Sequence, residues 1–124
     1  MSYVTRHTVS VTTDAGGDAT AYTPTVNGRV LTVIYTKDDF ANGVDFTITT
    51  ESTAQSVWVE SDVNASATVA PRQPTHAAAD GSASLYAGSG EPVETYVWTA
   101  NERVKIVIGS GGNATSGTFD VLIG

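Results

Sequence analysis

The chain contains no cysteine, which excludes a disulfide framework and any thiolate metal site and leaves packing to hold the fold. With only His7 and His76, a three-histidine metal centre within one chain is excluded as well. Cations are scarce: Arg6, Arg29, Lys37, Arg72, Arg103 and Lys105 stand singly against thirteen acids, for a net charge of −7. Nucleic-acid affinity begins with clustered Lys and Arg, so no direct nucleic-acid partner is expected. No stretch approaches the roughly 20 apolar residues of a membrane helix. The opening MSYVTRHTVSV lacks the basic and then apolar pattern of a secretory leader. The expectation is a soluble chain without an export signal, with no membrane partner.

Leucine is also scarce, 3 residues against 16 Val, 5 Ile and 19 Thr. β-Branched side chains pack well on a pleated surface and lose rotamer freedom in a helix, so the composition predicts an all-β protein. A chain of 124 residues fits a single domain spanning 1–124, which at this size buries roughly two thirds of its unfolded surface.

Alternation places the strands. Val9 and Val11 mark the first, DAGGD (Asp14–Asp18) a tight reversal, and Ala19, Ala21 and Thr23 a second strand ending near Pro24. Asn27-Gly28 is the strongest short hairpin signal. RVLTVIYT puts Leu31, Val33 and Tyr35 on one face and Val30 and Ile34 on the other, as in a central strand covered on both sides. VDFTITT buries Val44, Phe46 and Ile48, and SVWVES points Trp58 away from Val57 and Val59. Residues 64–82 form a long loop containing Pro71 and Pro74. SLYA, ETYVWTA, RVKIVI and TFDVLI complete eight or nine short strands. Many short strands without crossover helices predict an antiparallel β-sandwich, jelly-roll-like in arrangement.

One motif suggests chemistry. KIVIGSGGNA carries Gly109-x-Gly111-x-x-Ala114, the spacing of a dinucleotide-binding fingerprint. That site needs a helix after the glycines and an acid about 20 residues on, and here TSGTFDVLIG follows with strand alternation. The stretch reads instead as a hairpin, with Val104, Ile106 and Ile108 facing the core beside Phe119, Val121 and Ile123. Asp14 with Asp18, and Asp38 with Asp39, are explained by turns rather than by Ca²⁺. No nucleophile elbow or activating histidine is present, and nothing nominates a carboxylate pair. The expectation is a protein that is not an enzyme, with no catalytic, cofactor-binding or metal-binding residues and no cofactor.

What could carry function is a surface. Trp58, Tyr96 and Trp98 could serve as interface anchors or carbohydrate platforms. In APRQPTH, Pro71 and Pro74 stiffen the backbone while Arg72 offers forked hydrogen bonds and His76 closes the segment. The candidate interface is therefore Trp58, Pro71, Arg72, Pro74, His76 and Trp98.

The run from WVESDVNASATVAPRQPTH to ANERVKIVIGSGGNATSGTFDVLIG resembles small virion structural proteins of tailed bacteriophages, of the capsid decoration or cement type. That resemblance implies a β-sandwich on the outer capsid surface of the virion, made in the bacterial host cytoplasm. It also implies the major capsid protein as partner, and a homo-oligomer, a trimer being favoured. The alternatives are another virion component, such as a head-tail connector or a tail or head spike, and a carbohydrate-binding β-sandwich module.

Overall fold

Extended backbone appears wherever the sequence alternates apolar with polar side chains. In the computed structural model, which describes residues 3–88 and 90–124, β1 (Thr5–Thr12), β2 (Ala19–Tyr22), β3 (Val26–Thr36), β4 (Val44–Thr50) and β5 (Ser56–Val63) follow one another without a helix. β6 (Ala67–Val69), β7 (Gln73–Pro74), β8 (Glu94–Thr95), β9 (Val97–Glu102), β10 (Val104–Gly109) and β11 (Ser116–Ile123) complete the chain. One sheet runs β1-β11-β3-β6, with β9 also on β3; the other runs β2-β10-β4-β5; β7 and β8 pair by themselves. All pairings are antiparallel. The protein is an all-β antiparallel sandwich, as its composition predicts.

The two sheets meet through their apolar faces. Val9, Val11, Val33, Tyr35, Phe119, Val121 and Ile123 from one sheet are buried with Val44, Phe46, Ile48, Val104, Ile106 and Ile108 from the other. An aromatic cluster holds the middle: the Phe119 ring lies 5.0 Å from Tyr35 and 5.3 Å from Phe46 between centroids, and Trp58 meets Phe46 edge-on at 4.8 Å. Such offset and edge contacts suit the ring quadrupoles.

Four sequence expectations are corrected. Asn27-Gly28 does not turn a hairpin but lies inside β3, where the register against β9 slips between Val26 and Gly28. Gly28 has φ of 128° and a Cβ there would sit 3.3 Å from Ile123, so the glycine serves a bulge rather than a turn. Second, a further slip on β3 between Thr32 and Val30, opposite Leu122 and Ile123, turns Val30 to the core with Val33 and Tyr35. Leu31 is left half-buried. Third, residues 64–82 are not one loop, because β6 and β7 lie within them, while SLYA makes only the single Leu85–Pro92 bridge.

The fourth correction concerns the glycine-rich stretch. β10 and β11 are not partners: β10 lies between β2 and β4, and β11 lies between β1 and β3 in the facing sheet. The connection Ser110–Thr115 passes from one sheet to the other, covering the roughly 10 Å between layers. It is tied down by Gly111 N–H to Gly17 O at 2.9 Å and Ala41 N–H to Gly111 O at 2.9 Å. Gly111 is required by contact, since a Cβ there would fall 2.8 Å from Thr13 Cγ2. The side chains of both strands do face one core, from opposite layers, and a strand rather than a helix follows the glycines.

Tyr35 carries one unusual group. Its hydroxyl is buried and has no hydrogen-bond partner among the described residues. Burial, assisted by the nearby charge of Asp38, pushes its pKa up from 10.0 to about 12. The unfolded chain then releases the proton at lower pH than the folded one, so stability is complete below pH 10 and falls as pH rises toward 12. Tyr35→Phe removes that loss. It also removes an unsatisfied polar atom, so its stability at neutral pH should equal the parent's or exceed it by up to about 1 kcal/mol. Urea midpoints measured across this alkaline range for both proteins check the expectation.

Candidate interaction surface

The surface is built outward from β9. Val97 and Thr99 point into the core, so the strand's alternation turns Tyr96 and Trp98 outward. Trp98 is 54 % exposed. Its register partner across the sheet is Arg29 of β3, which brings a guanidinium over both rings, 5.0 Å from the Tyr96 centroid and 6.0 Å from that of Trp98. Arg72 reaches the same Tyr96 ring at 4.0 Å. Two cations far apart in sequence thus converge on one aromatic pair. Each stacked contact contributes about 0.5–1 kcal/mol at such an exposed position.

The backbone beneath is fixed by amides. Gln55 donates from Nε2 to Trp98 O at 2.9 Å, and Gln73 donates from Nε2 to Gln55 Oε1 and to Tyr96 O, both at 3.2 Å. Arg29 donates from Nε to Gly124 O at 2.9 Å and Arg72 from Nη1 to Pro71 O at 2.7 Å. Both side chains are therefore held in place while still presenting donors. Among the described residues the ion pairs are Arg6 with Asp120 and Arg103 with Glu51, so Arg29 and Arg72 face aromatic rings rather than carboxylates. Arg103 shows the contrast: it stacks on Tyr22 at 3.9 Å and also bonds Glu51, holding that carboxyl below its ordinary pKa.

The sequence-predicted residues separate. Arg72 and Trp98 come together through Tyr96. Pro71 is buried and anchors the segment from below. Pro74 and His76 are exposed on the flap formed by β7 and β8, where His76 Nδ1 lies 2.9 Å from Gly81 O. That flap is closed by Thr75 N–H to Val93 O at 2.7 Å and Val93 N–H to Ser84 O at 2.8 Å. It carries a groove of about 430 Å³ lined by Pro74, Tyr86, Glu91, Pro92 and Glu94. Trp58 is corrected: at 9 % exposure against Phe46, it belongs to the core rather than to an exposed platform. A slip in the β4–β5 register between Ile48 and Thr49 lets Val57 and Trp58 both turn inward, which strict alternation forbids.

Arg29, Gln55, Gln73 and Tyr86 are absent from the sequence-derived set. Arg29 and Gln73 join the patch through cross-strand register and Gln55 from the turn before β5, and no local pattern encodes either. Tyr86 is 76 % exposed and could have been found as an aromatic between Gly- and Ser-rich neighbours. Among the described residues no group of three or more His, Asp or Glu side chains is placed to hold a metal ion. Comparison with protein-family models and with curated proteins returned no match to this chain.

Proposed function

We propose that this protein is a bacteriophage virion component, a decoration or cement protein that binds the major capsid protein on the outer surface of the shell. The observation that carries the reading is the Arg29–Tyr96–Trp98–Arg72 patch on a rigid sheet. Trp, Tyr and Arg are the residues that dominate protein interfaces, and these are pre-positioned, so little ordering cost attends binding. The resemblance of the chain to phage cement proteins supports the same reading. So does the strand order β1-β11-β3-β6 over β2-β10-β4-β5, which suits a jelly-roll-like sandwich. A partner surface that fits offers carboxylates to the two arginines and an apolar hollow to Trp98. Binding only the assembled shell, the protein stabilises that shell by mass action.

Co-sedimentation with undecorated capsids is the test. Stoichiometric binding is expected, and Trp98→Ala should weaken it by about 30-fold or more, as for an interface anchor worth at least ~2 kcal/mol. Failure of the parent protein to bind overturns the capsid reading. Immunogold labelling at the tail or portal would instead favour another virion location. The exposed face of Trp98 also suits a sugar ring, and glycan-array binding lost in Trp98→Ala would favour the carbohydrate-binding reading.

A further inference from the structure

Among the described residues β1 pairs with β11 alone, and its outer edge is an unguarded pairing surface. Native sheets guard their edges with short strands, proline, bulges or charge, and the other edges here do so. β2 has four residues and stops before Pro24, and β6 has three. β5 is broken by register slips and carries Glu60 and Asp62, the latter with φ of 55°. β9 slips against β3 and ends near Asn101 with φ of 53°. β1 is different. Its eight residues, TRHTVSVT, run in unbroken register with β11 from Thr5–Ile123 to Thr12–Ser116. They include no proline, no glycine and one formal charge, Arg6.

The direction of its free groups follows from the ladder. Thr13 N–H bonds Thr115 O, and on the other flank of β11 Arg29 and Gly124 exchange N–H and C=O bonds. Odd-numbered residues of β1 therefore bond β11, and alternation turns the N–H and C=O of Arg6, Thr8, Ser10 and Thr12 away from it. We infer that this edge pairs antiparallel with β1 of a second copy, about a two-fold axis passing through Val9.

Self-complementarity argues for that occupant. With Val9 on the axis, Thr8 faces Ser10 of the other copy and Arg6 faces Thr12, so every outward N–H and C=O of the four residues finds a partner. No like charges stand opposite. The same register places Arg6 diagonally beside the exposed Asp14 of the other copy, within reach of a long side chain, and it does so at both ends. A foreign strand would need to reproduce this charge pattern. A second copy supplies it by symmetry. The contact is isologous and closes at two copies, in place of the trimer that the resemblance implies.

The test uses the protein alone, without capsids, so its outcome is separate from that of the proposed function. Sedimentation velocity up to about 1 mM should show a concentration-dependent monomer–dimer equilibrium. Amide exchange by NMR should show the Arg6, Thr8, Ser10 and Thr12 N–H groups exchanging fast at dilution and slowly in the dimer. The odd-numbered amides of β1 should be protected in both states. Ser10→Pro deletes an outward donor without touching the β1–β11 ladder and should abolish the dimer while keeping the far-ultraviolet spectrum. Should that variant fail to fold, Thr8→Lys with Ser10→Lys carries the test, because it places like charges opposite each other across the axis. A parent protein that stays monomeric, a trimer, a dimer that persists in these variants, or fast exchange of the even-numbered amides in the dimer overturns the inference.

Discussion

Phe119→Ala is expected to cost about 3–5 kcal/mol of stability, the range for removing a large aromatic from a packed core. Phe119 is fully buried and touches both halves of the sandwich, Tyr35 in its own sheet and Phe46 in the facing one. Its strand is flanked by β1 and β3, so the surrounding backbone is held on both sides and has little freedom to collapse into the space. A domain of this size has ~5–15 kcal/mol in total, and the variant should melt well below the parent. Phe119→Leu, which retains most of the volume, should cost less than half as much. Equal costs for the two would mean that the cluster can repack around the missing ring. Chemical denaturation with unchanged slope is the measurement.

Gly117→Ala is the second large effect, and it acts through overpacking. A Cβ at Gly117 would stand 2.3 Å from Phe40 Cε2 and 2.6 Å from Cδ2. Phe40 is itself only 2 % exposed, so its ring has no open space into which to swing. The expected loss is on the order of 2–3 kcal/mol, at the upper part of the range for adding a methyl group to a filled site. Phe40→Leu in the same chain should restore part of it, although Phe40→Leu alone destabilises. That sign change in a double-mutant cycle is the diagnostic, because two independent sites would simply add.

These two positions also show where sequence reasoning succeeds and where it stops. Phe119, Val121 and Ile123 could be assigned to the core from period-two alternation alone, and so could Val44, Phe46 and Ile48, because a one-residue slip would expose the whole set. Gly117 could not be singled out, since what requires it is the Phe40 ring, far away in sequence. The same division runs through the site. Trp98 and Arg72 were legible as residue types suited to an interface, whereas Arg29 enters only because a bulge at Gly28 sets the β3–β9 register. Trp58 departs from strand alternation for the converse reason: a register slip lets two consecutive side chains face inward. The β10–β11 connection failed similarly, because Gly-rich turns link strands within a sheet and between sheets with the same residues. What separates the two cases is which flanks are already occupied, and that is a property of the whole chain.

The place of β11 has a consequence for how the molecule is made. It follows every other strand in the chain and yet fills the slot between β1 and β3. While the polypeptide leaves the ribosome, β1 and β3 have no direct ladder to each other, and the layer they belong to stays open until residues 116–123 have been synthesised. Folding of this layer then waits for residues 116–123 and is dominated by contacts distant in sequence, which are slow to close. A nascent chain stalled before Ser116 should bind chaperones and yield readily to protease, and extending it until β11 is free to pair should end both together.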